Sequence, residues 1–139
     1  MNRKTLLILT QVYPPDPASV GQHMADVAER MVQRNWDVIV LTSNRGYDDY
    51  KEKYETFELL NGVQVSRFSL TSFGKSNILL RVMSQISLLL KTLFKSLAIK
   101  RPDAILISTN LVFIVAPLLK LLRKIPYIYW VMDLNPDQA

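Results

Sequence analysis

Apolar runs of strand length alternate along the chain with stretches of helical period. Thr5 to Thr10 contains the continuous aliphatic run Leu6-Leu7-Ile8-Leu9, the pattern of a strand buried on both faces of a parallel sheet. From Gly21 to Arg34, Met24, Val27, Ala28, Met31 and Val32 recur at helical spacing and place one apolar stripe on a core. Asn35 follows as a left-handed C-terminal cap, and Asp37 to Thr42 (DVIVLT) is a second buried strand. Ser43 to Leu60 has no clean period and reads as a long loop with room for a short helix. Gly62 to Phe68 (GVQVSRF) alternates, with Val63, Val65 and Arg67 sharing one face, and is entered through the turn signal Asn61-Gly62. Asn77 to Ile99 is a long helix, Ala104 to Ser108 a core strand, Leu111 to Arg123 a second apolar helix, and Pro126 to Met132 the last strand. Pro117 marks a kink or a late start in that second apolar helix.

Strands alternating with helices predict an α/β fold, a Rossmann-like three-layer sandwich with a mainly parallel sheet. In such sheets ligands sit beyond the carboxyl ends of the strands. The segments that follow strands are therefore the ones to watch: Gln11 to Val20, Ser43 to Tyr50, Ser108 to Asn110, and Asp133 to Asp137. A membrane span over Ala104 to Leu122 is the competing reading. A span needs about 20 predominantly apolar residues, and Ser108-Thr109-Asn110 and Pro117 interrupt this one, so strand, turn and helix explain it better.

Composition narrows the chemistry. The 139 residues suffice for one domain and one core. There is no cysteine, so disulfides and thiolate metal sites are excluded, and His23 is the single histidine. The net charge of +5 is unevenly spread: Lys75, Arg81, Lys91, Lys95, Lys100 and Arg101 follow one another with no acidic residue between them, whereas Asp48 to Glu58 is acidic. That asymmetry suggests an anionic partner, with Lys75, Arg81, Lys91 and Lys95 as candidate contacts to a membrane surface. The early polar residues Thr10 and Gln11 cut the N-terminal apolar run short of a signal peptide, so the chain is expected in the cytoplasm.

The junction after the first strand, TQVYPPDPASVGQH, carries three prolines and one glycine and lacks the dinucleotide fingerprint G-x-G-x-x-G. Pro14-Pro15-Asp16-Pro17 is stiff, Ala18-Ser19-Val20-Gly21 is small, and Ser19 is placed to cap the helix that follows. The free N–H groups and positive dipole end of that helix suit a phosphate. Pro15, Ser19, Val20, Gly21 and His23 are the candidate ligand residues here, joined by Ser108 and Asn110 from a later loop. Asp133 ends a buried strand at the ligand edge and is the candidate catalytic residue. Asp48-Asp49 resembles a metal pair, but Lys51 and Lys53 stand beside it, and no bound metal is expected.

YPPDPASVGQHMADVAERMVQRNWDVIVLTS resembles the start of the N-terminal domain of family 4 glycosyltransferases, which have the GT-B fold. PYIYWVMDLNPD is similar to that family's "strand, then Asp-Leu-Trp-Pro-Asp/Glu" stretch, and SRFSL matches its "strand, Arg, then a new loop" step. In order, these matches span the whole chain. Departures fall at Ala18-Ser19 in place of Gly-Gly, Asn35-Trp36 in place of Gly-His, Asn135 in place of Trp, and Ser108-Thr109-Asn110 in place of a donor-contacting histidine. The Ser-x-x pattern looks like the subset that builds bacterial surface polysaccharides on lipid carriers.

The resemblance implies the acceptor-binding half of an enzyme that moves a sugar from a nucleotide-sugar donor to a lipid-linked acceptor. It implies no bound cofactor, a site on the inner face of the cell membrane, and no nucleic-acid partner. The donor-binding domain and its pair of glutamates are absent, since no glutamate follows Glu58. Residues 1–139 are thus expected to form a single, incomplete GT-B N-terminal domain, inactive alone, whose other half is a missing C-terminal domain or a partner chain. The alternative is a non-catalytic, membrane-associated adaptor that recruits a donor-binding partner chain.

Overall fold

A computed structural model describes residues 2–45, 51–69, 77–108 and 114–131. Its element order is β1 (Thr5–Leu9), α1 (Ser19–Gln33), β2 (Asp37–Ser43), β3 (Phe57–Leu60), β4 (Val63–Phe68), α2 (Ile78–Ala98), β5 (Ala104–Ser108), α3 (Val115–Arg123) and β6 (Tyr127–Trp130). The six strands form one sheet in the order β3-β4-β2-β1-β5-β6. All neighbours run parallel except the edge pair β3 and β4.

Set aside the antiparallel edge strand, and the parallel strands lie in the order third, second, first, fourth, fifth. That is the doubly wound, Rossmann-like arrangement. The chain leaves β1 toward β2 on one side and later returns to place β5 on the other. The strand order therefore reverses between β1 and β5, and that is the switch point.

Successive residues of the aliphatic strands serve opposite faces. Leu6 and Ile8 of β1 pack with Val38, Val40, Val63 and Val65 under Met24, Ala25 and Ala28 of α1. Leu7 and Leu9 pack with Leu41, Ile105 and Ile107 under Leu88 of α2 and Val115, Ala116 and Leu119 of α3. Helices thus cover both faces, as the continuous apolar runs of a parallel sheet require.

Local signals set the boundaries. Asn35 has φ 67°, and the N–H groups of Asn35 and Trp36 donate to the carbonyls of Val32 and Met31. This closes α1 in the left-handed cap that the sequence predicts. Asn77 caps α2 by accepting from the Leu79 N–H at 3.1 Å. Pro117 falls in the first turn of α3, where its missing N–H breaks no helical bond.

One expectation is corrected. Ser43 to Leu60 is not all loop: β2 runs on to Ser43, and Phe57–Leu60 is a strand. Phe57 and Leu59 point to solvent while Glu58 and Leu60 turn inward, so no apolar run marks it. Asn61 (φ 51°) and Gly62 (φ 84°) form the two-residue turn of a β3–β4 hairpin. The turn signal is visible in the sequence; its first strand is not.

The long helix α2 carries its apolar stripe largely outside, with Ile78, Val82, Ile86, Leu90 and Phe94 all exposed. The side that faces the sheet includes Leu88 together with Thr92 and Ser96, both of which are buried. Ser96 satisfies itself by donating to the Thr92 carbonyl at 2.6 Å.

Candidate functional site

The site lies where β1 and β5 end. Ser108 Oγ, at the end of β5, donates to Thr10 Oγ1 at 3.1 Å, and Thr10 Oγ1 donates to the Val12 carbonyl at 2.9 Å. This buried relay ties the two strands together at the switch point and fixes where the chain turns out of β1.

From there the proline-rich segment is held from three directions. Tyr13 is buried against Met24 and Ala25 of α1 and against the sheet. Burial first, then the negative charge of Glu29, holds its phenol above the ordinary tyrosine range, while Arg67 acts in the opposite sense. Asp16 is also buried; its Oδ1 accepts from the Ala18 N–H at 2.9 Å, and its own N–H donates to the Tyr13 carbonyl. The Pro14–Pro15 peptide bond is cis.

Arg67 supplies the third hold. Its side chain, on β4, is fully buried. Nη2 donates to the Pro14 carbonyl at 2.6 Å, and Nη1 donates to the Glu55 carbonyl at 3.1 Å and to Glu58 Oε2 at 2.5 Å. Tyr54 lies beside the guanidinium, its ring centre 5.7 Å from Cζ. A buried guanidinium is tolerated only when paired and hydrogen-bonded. Here the hairpin β3–β4 provides the carboxylate, and the site loop provides the carbonyl.

The start of α1 differs from the expectation in one respect. Ser19 does not cap the helix: it is the first helical residue, Ala18 is the cap residue, and no side chain caps the turn. Just ahead of the helix, Asp16 Oδ1 holds the Ala18 amide. With no acidic residue in the first turn, the positive end of the helix dipole faces solvent beside Ser19 and Val20.

Gly21 is buried for a different reason than phosphate approach. A Cβ there would sit 3.2 Å from the Tyr13 backbone N and Cα and 3.3 Å from the Val12 carbonyl carbon. The glycine lets α1 cross close over the outgoing loop.

The structure brings Pro15, Ser19, Val20, Gly21, His23 and Ser108 to the same end of the sheet. Pro15 and Ser19 are exposed, Val20 is half-buried, and Ser108 is buried in the relay. His23 is exposed on the first turns of α1, with its ring 6.2 Å from that of Trp130 at the end of β6. Asn110 and Asp133 lie outside the described residues, as do Lys75 and the Asp48-Asp49 pair. Arg81 lies on α2.

Lys91 and Lys95 are not at this site. Lys91 Nζ donates to the Ser69 carbonyl at 2.5 Å, and Lys95 Nζ lies 5.5 Å from the centre of the Phe68 ring. Among the described residues no three His, Asp or Glu side chains gather in a way that could hold a metal ion.

Thr10, Tyr13, Asp16 and Trp130 are site residues that sequence reasoning does not single out. Arg67 is placed by its alternation on the inward face of its strand, but with no role there. Its signal is a charged residue on the buried phase of an alternating strand, which needs a partner from elsewhere in the chain.

The fold and this strand-end geometry define a Rossmann-like α/β domain whose first βα turn is a clamped proline loop. No family model matches the chain, and no curated protein matches it.

Proposed function

We propose that the chain is the acceptor-side half of a GT-B glycosyltransferase resembling family 4, acting on a lipid-linked acceptor at the cytosolic membrane face. One observation carries the reading: the Tyr13-Pro14-Pro15 loop stands at the β1–β5 switch point, clamped to the buried Arg67 of the third parallel strand. In the sequence, the same tyrosine-proline-proline step and the same strand-ending arginine carry the resemblance. A dinucleotide site of the usual kind is disfavoured, because the glycine-rich turn is missing and Gly21 is used for helix–loop packing.

In this reading the uncapped start of α1, with the N–H groups of Ser19 and Val20, faces the diphosphate that develops charge as the sugar leaves. His23, Asn110 and Asp133 line the sugar or acceptor pocket, with Asp133 as the candidate catalytic residue. The chain's contribution is to position the acceptor against a donor held by another domain or chain. The nucleotide sugar is a substrate, and the chemistry uses no resident cofactor or metal.

Equilibrium binding tests this. A water-soluble prenyl diphosphate carrying one sugar is expected to bind the chain, while NAD and a free nucleotide sugar are not. Tight binding of NAD with none of the lipid-linked sugar would make the domain a nucleotide-binding protein of another kind.

A further inference from the structure

The layer formed by α2 and α3 has an unusual outer surface. Along α2, Val82, Ile86, Leu90 and Phe94 repeat every fourth position and are exposed, Phe94 to 66%. With Ile78 at 78%, the stripe runs from Ile78 to Phe94, about 24 Å at 1.5 Å per residue. On α3, packed on the same face of the sheet, Leu121 is 79% exposed. Surface helices of soluble domains normally turn such residues inward, yet α2 buries Thr92 and Ser96 instead. An exposed apolar surface of this extent marks an interaction site.

Charge identifies the occupant. Between Asn77 and Val131 the sole acidic residue is Asp103, and its carboxylate accepts from the Thr5 N–H at the start of the sheet. Four cations of this layer, Lys91, Lys95, Arg101 and Arg123, are held by uncharged partners. Lys91 and Lys95 meet the Ser69 carbonyl and the Phe68 ring. Arg101 donates to the carbonyls of Arg123 and Lys124, and Arg123 donates to those of Ser96 and Ile99. Their positive charge is fixed in place, and among the described residues no carboxylate pairs with it. Lys100 and Lys124 are exposed beside them. No helix among the described residues is long and apolar enough to cross a membrane, so a lipid partner would be met by a helix lying in the interface.

We propose that the outer face of α2 and α3 docks on an anionic lipid bilayer, with Ile86, Leu90 and Phe94 inserted among the acyl chains and the surrounding cations over the headgroups. The docking is led by the apolar stripe, with Lys91 and Lys95 adding charge from its flank. A lipid-linked acceptor gives such a surface a use, but the surface stands on its own residues, and its test needs neither acceptor nor donor.

The experiment is flotation of the whole chain with phosphatidylcholine vesicles, with and without phosphatidylglycerol. The chain is expected to float with the anionic vesicles and much less with the neutral ones. Leu90→Ser combined with Phe94→Ser should weaken binding about tenfold or more, with an unchanged far-ultraviolet circular dichroism spectrum, because both side chains are already exposed. A Phe94→Trp variant should show additional fluorescence that brominated lipids quench. Undiminished flotation of the double variant, an unquenched signal from the Phe94→Trp variant, or a concentration-dependent dimer that buries the stripe and ignores vesicles would each overturn the proposal. Because the readout is vesicle binding alone, its failure leaves the transferase reading standing, and failure of acceptor binding leaves the docking face standing.

Discussion

The Nη2 atom of Arg67 donates a 2.6 Å hydrogen bond to the carbonyl oxygen of Pro14, 53 positions earlier in the chain. That bond joins the third parallel strand to the first βα loop across the end of the sheet. It makes the shape of the proline loop depend on a residue that never reaches the site surface.

Replacing Arg67 by Met should therefore act in two places. Loss of the Pro14, Glu55 and Glu58 contacts is expected to lower stability by about 2–4 kcal/mol, measured by urea unfolding. Part of the pair's effect is moderated because the Glu58 side chain remains one-third exposed and can rehydrate. The amides of Asp16 and Ala18 should exchange with solvent faster than in the unsubstituted chain, by more than the amides of β1 do. Unchanged exchange at those two amides would mean that the clamp does not shape the loop.

This relation shows what the sequence can and cannot reveal. The alternation Val63, Val65, Arg67 places Arg67 on the inward face correctly. Its partner cannot be read, because Pro14 comes from a distant loop and acts through a backbone carbonyl, which leaves no residue-type signal. The core strands are legible because a parallel sheet buried on both faces needs unbroken aliphatic runs. Strand β3 is hidden by the opposite circumstance: an edge strand with Phe57 and Leu59 facing solvent carries no such run. In α2 the apolar stripe is legible, but its direction is not, since periodicity shows that a helix has two faces and not which one meets the sheet. At the site, the loop positions around Ser19 and Gly21 are found, whereas the capping role expected of Ser19 is filled by no side chain, and Asp16 holds only the Ala18 amide ahead of the helix.

The Thr10–Ser108 relay predicts an asymmetric pair of substitutions. Ser108→Ala leaves Thr10 Oγ1 still donating to the Val12 carbonyl, so it should cost about 1 kcal/mol. Thr10→Val removes the acceptor of the Ser108 hydroxyl and the donor to Val12, so it should cost about 1–3 kcal/mol. The double variant should be less destabilised than the sum of the two, read from a double-mutant cycle by thermal unfolding. Strict additivity would show that the hydroxyls are not coupled.

Gly21→Ala tests close packing against helix propensity. In an open helix the change stabilises by roughly 1 kcal/mol. Here the new Cβ would meet backbone atoms of Tyr13 and Val12 at 3.2–3.3 Å. A net loss of about 1–2 kcal/mol is expected, together with chemical-shift changes across residues 12–16. A stabilised Gly21→Ala variant would show that α1 can lift away from the loop at no cost.

Alkaline titration should distinguish two tyrosines beside Arg67. Burial raises Tyr13 above the ordinary range; burial, then the hydrogen bond to Glu52, pushes Tyr54 up to about 12. A phenol whose value is raised by folding stabilises the fold while protonated. The contribution is complete below the ordinary tyrosine value of 10.0 and is lost as pH climbs through the raised value. Stability should accordingly fall above pH 10.0, and Tyr13→Phe should flatten that fall and remove a late phenol from the ultraviolet titration. An unaltered titration curve in Tyr13→Phe would contradict the burial of this side chain.

The central claim is that a lipid-linked sugar binds at this end of the sheet, beside the proline loop and against His23 on the first turns of α1. The direct measurement is an amide chemical-shift map of the isotope-labelled chain titrated with a water-soluble prenyl-diphosphate sugar. The account predicts saturable shifts concentrated at residues 12–23 and around Thr10 and Ser108, with no comparable response to NAD. Shifts elsewhere on the chain, or the same residues answering NAD while ignoring the lipid-linked sugar, would contradict it.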